Sequence, residues 1–174
     1  MGLDMYLVKK IYIGGNYDFN EVKGNIDISV KGKKIPLNLK KITYIEEDVA
    51  YWRKANHIHK WFVDNVQDGV DDCKNYYVST EHLKELLKIC KKVLKSCELT
   101  ETENEHGEKT IKDYTIASEL LPTKSGFCFG NTEYNEHYLD DIKYTIKIIQ
   151  RALREEKKLN EQGIYNHFEY CSSW

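Results

Sequence analysis

The sequence predicts an α+β fold: an antiparallel or mixed sheet that includes a β-hairpin, with three to four helices packed against it. Three observations lead to this prediction. Residues 3–13 and 25–39 alternate apolar and polar side chains, as strands do. Residues 79–97 and 135–163 carry apolar residues at helical spacing. With 174 residues, the chain is expected to form a single domain, residues 1–174, around one core.

The first part of the chain predicts a strand followed by a hairpin. The strand covers residues 3–13, and the hairpin covers about residues 25–45 with its turn at residues 31–33. Pro36 places the returning strand at an edge or a bulge. Lysines surround the turn, which is typical of edge strands that avoid further pairing. Phosphate binding by these lysines is the alternative interpretation.

The middle of the chain predicts helices. The first helix is predicted over residues 46–66, because Glu46, Glu47 and Asp48 would place acids in its first turn, where they suit the helix dipole. Its expected core stripe is Tyr51, Ala55, Ile58, Phe62 and Val66. Ser79 predicts the N-cap of a second helix. Residues at about 98–112 predict a flexible loop or hairpin, and Asp113 is expected to cap a short helix that stops before Pro122.

The last part of the chain predicts a strand, a long helix and a final strand. Phe127 and Phe129 alternate between two glycines, which predicts a short strand over residues 126–130. Thr132 or Asn135 is expected to cap the long helix. The final strand begins near residue 166, and we expect it to pair with the first.

Composition and motifs exclude several classes of function. The formal net charge of -2 argues against a binder of duplex nucleic acid, and no apolar run approaches a membrane span. The five cysteines contain no C-x-x-C pair, which favours reduced thiols in the cytoplasm. The sequence has neither a phosphate-binding loop nor an H-E-x-x-H motif. We therefore expect a cytoplasmic protein that uses no cofactor.

A metal site is not expected either. His57 and His59 lie two residues apart on a predicted helix and therefore point in separate directions. The acidic turn at residues 64–75 resembles half of a calcium loop. Its third position is Val66, where an oxygen ligand is needed, and its twelfth is Asn75, where a bidentate glutamate is needed.

The remaining candidate is a polar-aromatic ligand site without catalytic residues. Aromatic planes stack on bases, whereas guanidinium and amide groups bind phosphates and base edges. Glycines let a ligand approach the backbone. The predicted ligand-binding residues are Trp52, Arg53, Lys54, Asn56, His57, Trp61, Gly126, Phe127, Phe129, Gly130, Thr132, Tyr134 and Trp174. The alternative for Trp52 and Trp61 is that each ring anchors the core or an interface.

Five segments carry a family resemblance that covers most of the chain. They are MGLDMYL, AYWRKANHIHKWFVDNVQDGVDDC, YYVSTEHLKELL, LLPTKSGFCFGNTEY and FEYCSSW. The chain resembles a family of small uncharacterised proteins of phages and prophages of Gram-positive bacteria. Some members carry a kinase name, but this sequence contains no kinase motif. The resemblance supplies no catalytic residues.

The resemblance implies a phage setting, in which small proteins often counter bacterial immunity. One class, the sponges, sequesters cyclic or ADP-ribose-derived signals without cleaving them, often as homo-oligomers. We expect a homo-oligomeric sponge for a small nucleotide-like ligand in the cytoplasm of an infected or lysogenic host. One alternative is a protein-binding inhibitor of a host defence effector or nuclease. The other is a small metal-dependent hydrolase that uses Asp68, Asp71 and Asp72.

Overall fold

The protein has the predicted α+β fold, with helices packed against an antiparallel sheet. The computed structural model describes residues 2–14, 27–38, 41–103 and 107–174. Its strands are β1 (Asp4–Tyr12), β2 (Ser29–Val30), β3 (Lys33–Lys34), β4 (Tyr44–Arg53), β5 (Tyr76–Val78), β6 (Leu99–Glu103), β7 (Lys109–Ile111) and β8 (Asn166–Ser173). Its helices, within those residues, are α1 (Asn56–Asn65), α2 (Thr80–Ser96), α3 (Thr115–Leu120) and α4 (Glu136–Glu161).

The main sheet is built around β1 and has the strand order β4-β1-β8-β5. All three strand pairs are antiparallel. The pairing of the last strand with the first is confirmed, with Leu7 opposite Tyr170. Met5 and Leu7 are fully buried, whereas Tyr6 between them faces outward. The apolar alternation of β1 therefore faces the core, as the sequence predicted.

The helix predicted over residues 46–66 is wrong in its first half, because Tyr44–Arg53 forms strand β4. Two of the acids expected in a first helical turn, Glu46 and Glu47, instead face lysines of β1. Glu47 lies opposite Lys9, and its Oε2 is 2.7 Å from Lys9 Nζ. Cross-strand pairs of opposite charge stabilise a sheet, and the aromatic and β-branched residues of this segment favour a strand.

The expected core stripe of that helix is consequently incomplete. Ala55, Ile58 and Phe62 are fully buried, as predicted, and Val66 is partly buried. Tyr51 lies on the strand and is exposed. A spacing of four residues cannot distinguish a helix face from a strand that runs into a helix.

A β-bulge interrupts β4 opposite Leu7 and Val8 of β1. Leu7 pairs with Ala50 and Val8 pairs with Asp48, so Val49 is the extra residue. Both Val49 and Ala50 are buried as a result. Bulges bend a strand and redirect its backbone groups, and this bulge lies beside the cleft described below.

The predicted lysine-rich hairpin is present but short. Its turn lies at Lys31 and Gly32, both with positive φ, between the two-residue strands β2 and β3. Ile28, Val30 and Ile35 are exposed rather than packed on the core. The outer parts of the prediction, at residues 25–26 and 39–40, fall outside the described residues.

The N-caps predicted for α2 and α4 are confirmed, whereas the N-cap of α3 is Tyr114 instead of Asp113. Ser79 caps α2, and its side chain accepts a hydrogen bond from the His82 N–H at 3.1 Å. Asp113 accepts from the Thr115 N–H at 2.9 Å at the start of α3. Asn135, rather than Thr132, caps α4. The segment expected as a loop or hairpin forms the β6–β7 pair, and residues 104–106 lie outside the description.

The strand predicted over residues 126–130 is wrong, because this segment forms a turn. Cys128 adopts a left-handed φ of 61°, which a strand excludes. The Phe129 N–H donates back to the Gly126 carbonyl at 3.3 Å. A β-carbon at Gly126 would lie 2.6 Å from the Phe129 ring. The absence of a side chain at Gly126 therefore leaves room for that ring. Alternation over only three residues was too short a pattern to define a strand.

One continuous core joins the main sheet to α1, α2 and α4. The long helix α4 contributes one apolar face, with Ile146 and Leu153 at its margin. The helix residues buried in this core include Ile58, Phe62, Leu83, Leu86, Cys90, Val93, Tyr138, Ile142, Ile149 and Ala152. At roughly 25 cal/mol per Å² of buried apolar surface, this core is the main source of stability.

Candidate functional site

The residues predicted to bind a ligand are divided between the core, a polar pocket and the surface. Trp52 is 2% exposed, and its indole N–H donates to Thr145 Oγ1 at 2.9 Å. Trp61 and Phe129 are also buried. A stacked base needs an open ring face, so these three rings serve the core. For Trp52 and Trp61 this is the alternative that the sequence left open.

Asn56 holds the loop that precedes α4. Its buried Nδ2 donates to the Phe129 and Asn131 carbonyls at 3.1 and 2.8 Å. Its Oδ1 accepts from the Lys124 N–H at 3.0 Å. Three of its four hydrogen-bonding positions are therefore used within the protein, and Asn56 shapes a wall instead of reading a base.

A polar pocket of about 450 Å³ unites five of the predicted residues. It lies where the end of β4 meets the loop before α4 and the start of α4 itself. The predicted residues in its lining are Arg53, Lys54, Asn56, His57 and Gly130. The acidic side of the pocket consists of Glu133, Asp140 and Asp141, which are not among the residues predicted from the sequence.

A close backbone contact forms the floor of this polar pocket. Lys54 has a φ of 62° and Gly130 a φ of 91°, both in the left-handed region. A β-carbon at Gly130 would lie 3.0 Å from Lys54 Cβ and 3.3 Å from the Lys54 carbonyl oxygen. The Leu3 backbone joins the two segments, because it donates to Cys128 O and accepts from Lys54 N. The absence of a side chain at Gly130 thus leaves room for the protein's own backbone at Lys54.

Three groups in the polar pocket have strongly displaced pKa values, and for one of them, Tyr138, burial raises the pKa well above its usual range. Burial lowers the pKa of His57 to about 3, so its imidazole is neutral at pH 7. Its Nε2 has no hydrogen-bond partner among the described residues. Burial, with a smaller effect of the Asp140 carboxylate, raises the pKa of Asp141 to about 7. Within the described chain, the Asp141 carboxylate makes no hydrogen bond or ion pair.

The other predicted residues lie outside this pocket. Phe127 is 81% exposed at the tip of the 126–130 turn. Tyr134 stacks on Tyr114, with ring centroids 4.7 Å apart, in a separate groove that Thr132 also lines. Trp174 is half-exposed and packs edge-on against Phe129 at 6.0 Å. The thirteen predicted residues therefore do not form one site.

Trp174 belongs to a hydrogen-bonded cluster that the sequence analysis did not identify. The carboxylate of Asp71 accepts from Trp174 Nε1 at 3.0 Å and lies 3.0 Å from His59 Nε2. Lys124 Nζ is 3.4 Å away. The other ring nitrogen of His59, Nδ1, lies 2.8 Å from the Tyr170 hydroxyl. Burial lowers the pKa of His59 despite the neighbouring carboxylate, which favours a neutral ring donating to Asp71 and accepting from Tyr170.

The acidic turn is occupied by these internal contacts. Asp72 Oδ1 accepts from the Lys74 N–H and the Tyr76 hydroxyl at 3.2 and 3.1 Å. Asp68 adopts a left-handed φ of 51° in the turn. Across residues 2–14, 27–38, 41–103 and 107–174, no group of three or more His, Cys, Asp or Glu residues is arranged to hold a metal ion. The geometry therefore gives the metal-dependent hydrolase no specific support.

A second and larger cleft of about 680 Å³ lies between β4 and α4. We call it the Tyr–Arg cleft, after three tyrosines and three cations in its lining. They are Tyr6, Tyr51, Tyr144, Lys147, Arg151 and Arg154. Its volume is typical of pockets for small molecules and cofactors, about 300–1,000 Å³.

The tyrosines of the cleft present open ring surface. Tyr6, Tyr51 and Tyr144 are 37%, 45% and 38% exposed. Tyr6 and Tyr51 face each other across β1 and β4 with ring centroids 5.4 Å apart. The Tyr51 hydroxyl donates to Asp4 Oδ1, and this hydrogen bond raises the Tyr51 pKa. The sheet positions Tyr6 and Tyr51, α4 positions Tyr144, and all three rings remain accessible.

The cations of the cleft lie on one face of α4, at spacings of three and four residues. Arg151 Nη2 donates to the Val49 carbonyl at the β-bulge, at 3.3 Å, which orients the guanidinium along the cleft. Lys147, Arg151 and Arg154 form no ion pair with a carboxylate of the described residues. Asp48 is the only acid among the described lining residues. The lining thus carries three positive charges and one negative charge in a protein of net charge -2.

The sequence contains a signal for this cleft. Tyr144, Lys147, Arg151 and Arg154 recur at helical spacing beside the apolar face of α4. None of these four residues is among the ligand-binding residues predicted from the sequence. The contribution of Tyr6 and Tyr51 could not be seen without knowing that Tyr44–Arg53 is a strand paired with β1.

Comparison of the chain with models of protein families, with curated proteins and with solved structures found no match. Within the part of the chain that the structure describes, no helix has both the length and the apolar character needed to cross a bilayer.

Proposed function

We propose that this protein binds a nucleotide-derived anion in the Tyr–Arg cleft and sequesters it without cleavage. The observation that carries this proposal is the combination, in one 680 Å³ cleft, of three half-exposed tyrosine rings and three cations that form no ion pair within the described part of the chain. Aromatic side chains stack on bases of any sequence, worth roughly 1–3 kcal/mol per base. Guanidinium groups bind phosphate oxygens through paired, charge-assisted hydrogen bonds.

The lining favours binding over catalysis. The described residues of the cleft include no Ser, Thr, Cys or His, so a Ser–His or Cys–His pair of nucleophile and general base is not part of the described lining. Arg151 is held by the Val49 carbonyl and is therefore oriented before a ligand arrives. Preorganised donors lower the cost of ordering on binding, which suits a protein that must hold a signal at low concentration.

The biological role that follows is counter-defence by a phage-encoded sponge in the cytoplasm of the infected host. The support for the phage setting is the sequence resemblance. The support for the ligand class is the chemistry of the Tyr–Arg cleft. A polyanion is better suited to this cleft than to the polar pocket, whose three carboxylates would repel it.

The test is recovery of intact ligand. Purified protein is incubated with ADP-ribose, a cyclic dinucleotide and a cyclic trinucleotide, separated from free nucleotide and then denatured by heat. We expect at least one unaltered nucleotide in the supernatant after denaturation and none before it. A chemically altered nucleotide would instead show an enzyme, and failure of all three to bind would overturn the proposal.

A protein-binding inhibitor is the second candidate, and Phe127 is the observation that favours it. A large apolar side chain that is 81% exposed at the tip of a turn resembles the anchors of protein interfaces. If this candidate is correct, Phe127→Ser abolishes counter-defence in infected cells. The double variant Arg151→Gln with Arg154→Gln then leaves counter-defence unchanged. For the sponge we expect the reverse, in which the double variant abolishes counter-defence and Phe127→Ser does not.

A further inference from the structure

The polar pocket holds opposite charges that do not neutralise each other. Arg53 and Lys54 line it at the end of β4, and carboxylates line it from the loop and α4. Arg53 approaches only Asp4, at 3.9 Å, and neither cation forms an ion pair with a carboxylate of this pocket among the described residues. Opposite charges kept apart in one concave site are suited to a ligand that carries both signs.

Asp141 is the available carboxylate on the acidic side. Its neighbour Asp140 is paired with Lys143 at 2.8 Å, and Glu133 is exposed to solvent. Asp141 is partly buried and unpaired within the described chain. An ionisable group removed from water without a partner is unfavourable, so an ammonium group from a ligand would stabilise the protein here.

His57 is a second unsatisfied group in the same pocket. It is 3% exposed, and its Nε2 has no partner among the described residues. Its ring packs on Tyr138 with centroids 4.2 Å apart, which fixes its orientation. A buried polar atom without a partner is uncommon in folded proteins, and the residue that carries this one is part of the pocket lining.

We propose that the polar pocket binds a small zwitterion, with its anionic group on Arg53 and Lys54 and its ammonium group on Asp141. The buried ring of His57 packs on Tyr138 in the same lining and supports the site from behind. The volume of about 450 Å³ suits a molecule of amino-acid size. This site is separate from the Tyr–Arg cleft and shares none of its residues.

Three matched probes test the proposal, since they separate the two charges. They are 4-aminobutyrate, which carries both groups, butyrate, which has the carboxylate only, and butylamine, which has the ammonium only. Each is titrated to about 20 mM, above the millimolar Kd expected for one or two charge-assisted hydrogen bonds. Amide resonances from ¹H–¹⁵N spectra at pH 8 report the site and the affinity.

We expect 4-aminobutyrate to shift the amides of Lys54, His57 and Asp141 and to bind about tenfold more tightly than either single-charge probe. Asp141→Asn should weaken binding of 4-aminobutyrate about tenfold and leave butyrate unchanged. Arg53→Gln with Lys54→Gln should weaken 4-aminobutyrate and leave butylamine unchanged. The dispersion of each unliganded spectrum shows whether the variant is folded.

Several results would overturn the zwitterion site. One is equal affinity for 4-aminobutyrate and butyrate, which would reduce the site to general anion binding. Another is a loss of butyrate binding in Asp141→Asn, which would make Asp141 a structural residue. The others are shifts confined to residues outside the pocket and the absence of shifts with all three probes.

Discussion

At the scale of single residues, Asn56 shows how a predicted ligand-binding residue can also have a structural role within the protein. Its position beside Trp52 and His57 made it a candidate for reading a base edge. The structure shows that it holds the loop from Lys124 to Asn131 through three hydrogen bonds. The sequence shows that an amide is present, but the partner lies about seventy residues away along the chain, where local patterns carry no information.

Asn56→Ala is therefore expected to destabilise the whole protein. It would leave two backbone carbonyls and one N–H without their partner, and we expect the free energy of unfolding to fall by about 2–4 kcal/mol. Urea denaturation followed by circular dichroism measures this. Asn131→Ala is the matched control, because only its backbone takes part, and it should stay within about 0.5 kcal/mol. Equal effects of the two variants would refute the role assigned to Asn56.

Asp141 makes a prediction about pH. Its pKa rises from 3.8 to about 7 on folding, so the folded protein binds this proton more tightly than the unfolded chain does. Its contribution to stability is therefore favourable below pH 3.8 and is lost as the pH rises to about 7. Asp141→Asn should raise the free energy of unfolding by about 1–2 kcal/mol at pH 8, allowing for solvent screening, and change it little at pH 3.5.

Denaturant unfolding at these two pH values measures the effect. Asp140→Asn is the matched control, because Asp140 is exposed and already paired with Lys143. It should show no comparable gain at pH 8. A gain that is the same at both pH values would mean that the charge of Asp141 is not its cause.

At the scale of secondary structure, the main difference between sequence and structure is β4. The acids at 46–48 resemble a helix N-terminus, and the spacing of Tyr51, Ala55 and Ile58 resembles a helix face. Pairing with β1 favours a strand over a helix in this segment, because it places Glu47 against the buried ammonium of Lys9. The Ser79 cap and α4 were predicted because their patterns are local in the sequence. The conformation of β4 could not be predicted in this way, because it depends on pairing with another strand.

Charge reversal at Glu47 tests that β4 is a strand. In the strand, Glu47→Lys would place a second ammonium beside Lys9, whose side chain is 3% exposed, at a cost of about 1–3 kcal/mol. Asp48→Asn is the control, since Asp48 lies opposite Val8, and it should cost less than about 0.5 kcal/mol. Thermal and urea unfolding would report both. On a helix the two positions would be similarly exposed, so equal effects would contradict the strand.

At the scale of the whole molecule, charge is distributed unevenly. The net charge of -2 argued against a nucleic-acid duplex, and it gave no indication of the local excess of three cations over one acid in the Tyr–Arg cleft. The fold creates that excess by packing the basic face of α4 against the bulged edge strand β4. The aromatic and cationic chemistry expected of a nucleotide site is thus present, but at residues that the sequence analysis did not select.

Binding of a nucleotide in the Tyr–Arg cleft should weaken as salt increases. Exposed charges are screened over about 8 Å at physiological ionic strength, and a polyanion on three cations depends strongly on unscreened attraction. We expect Kd to rise several-fold between about 50 and 300 mM NaCl, measured by isothermal titration calorimetry. A Kd independent of salt would mean that stacking alone holds the ligand and that the cations of α4 are not used.

The most direct test of the central claim compares matched losses of charge. Affinity for the nucleotide recovered from the panel is measured by calorimetry for the wild type and three double variants. Arg151→Gln with Arg154→Gln should weaken binding about a hundredfold, because each removes a charge-assisted contact. The control is the double variant Lys88→Gln with Lys91→Gln, because these two lysines have the same spacing on the exposed face of α2. It should change the Kd for the nucleotide less than about threefold. An unchanged Kd in the Arg151 and Arg154 variant, or a loss confined to Arg53→Gln with Lys54→Gln, would contradict the Tyr–Arg cleft as the binding site.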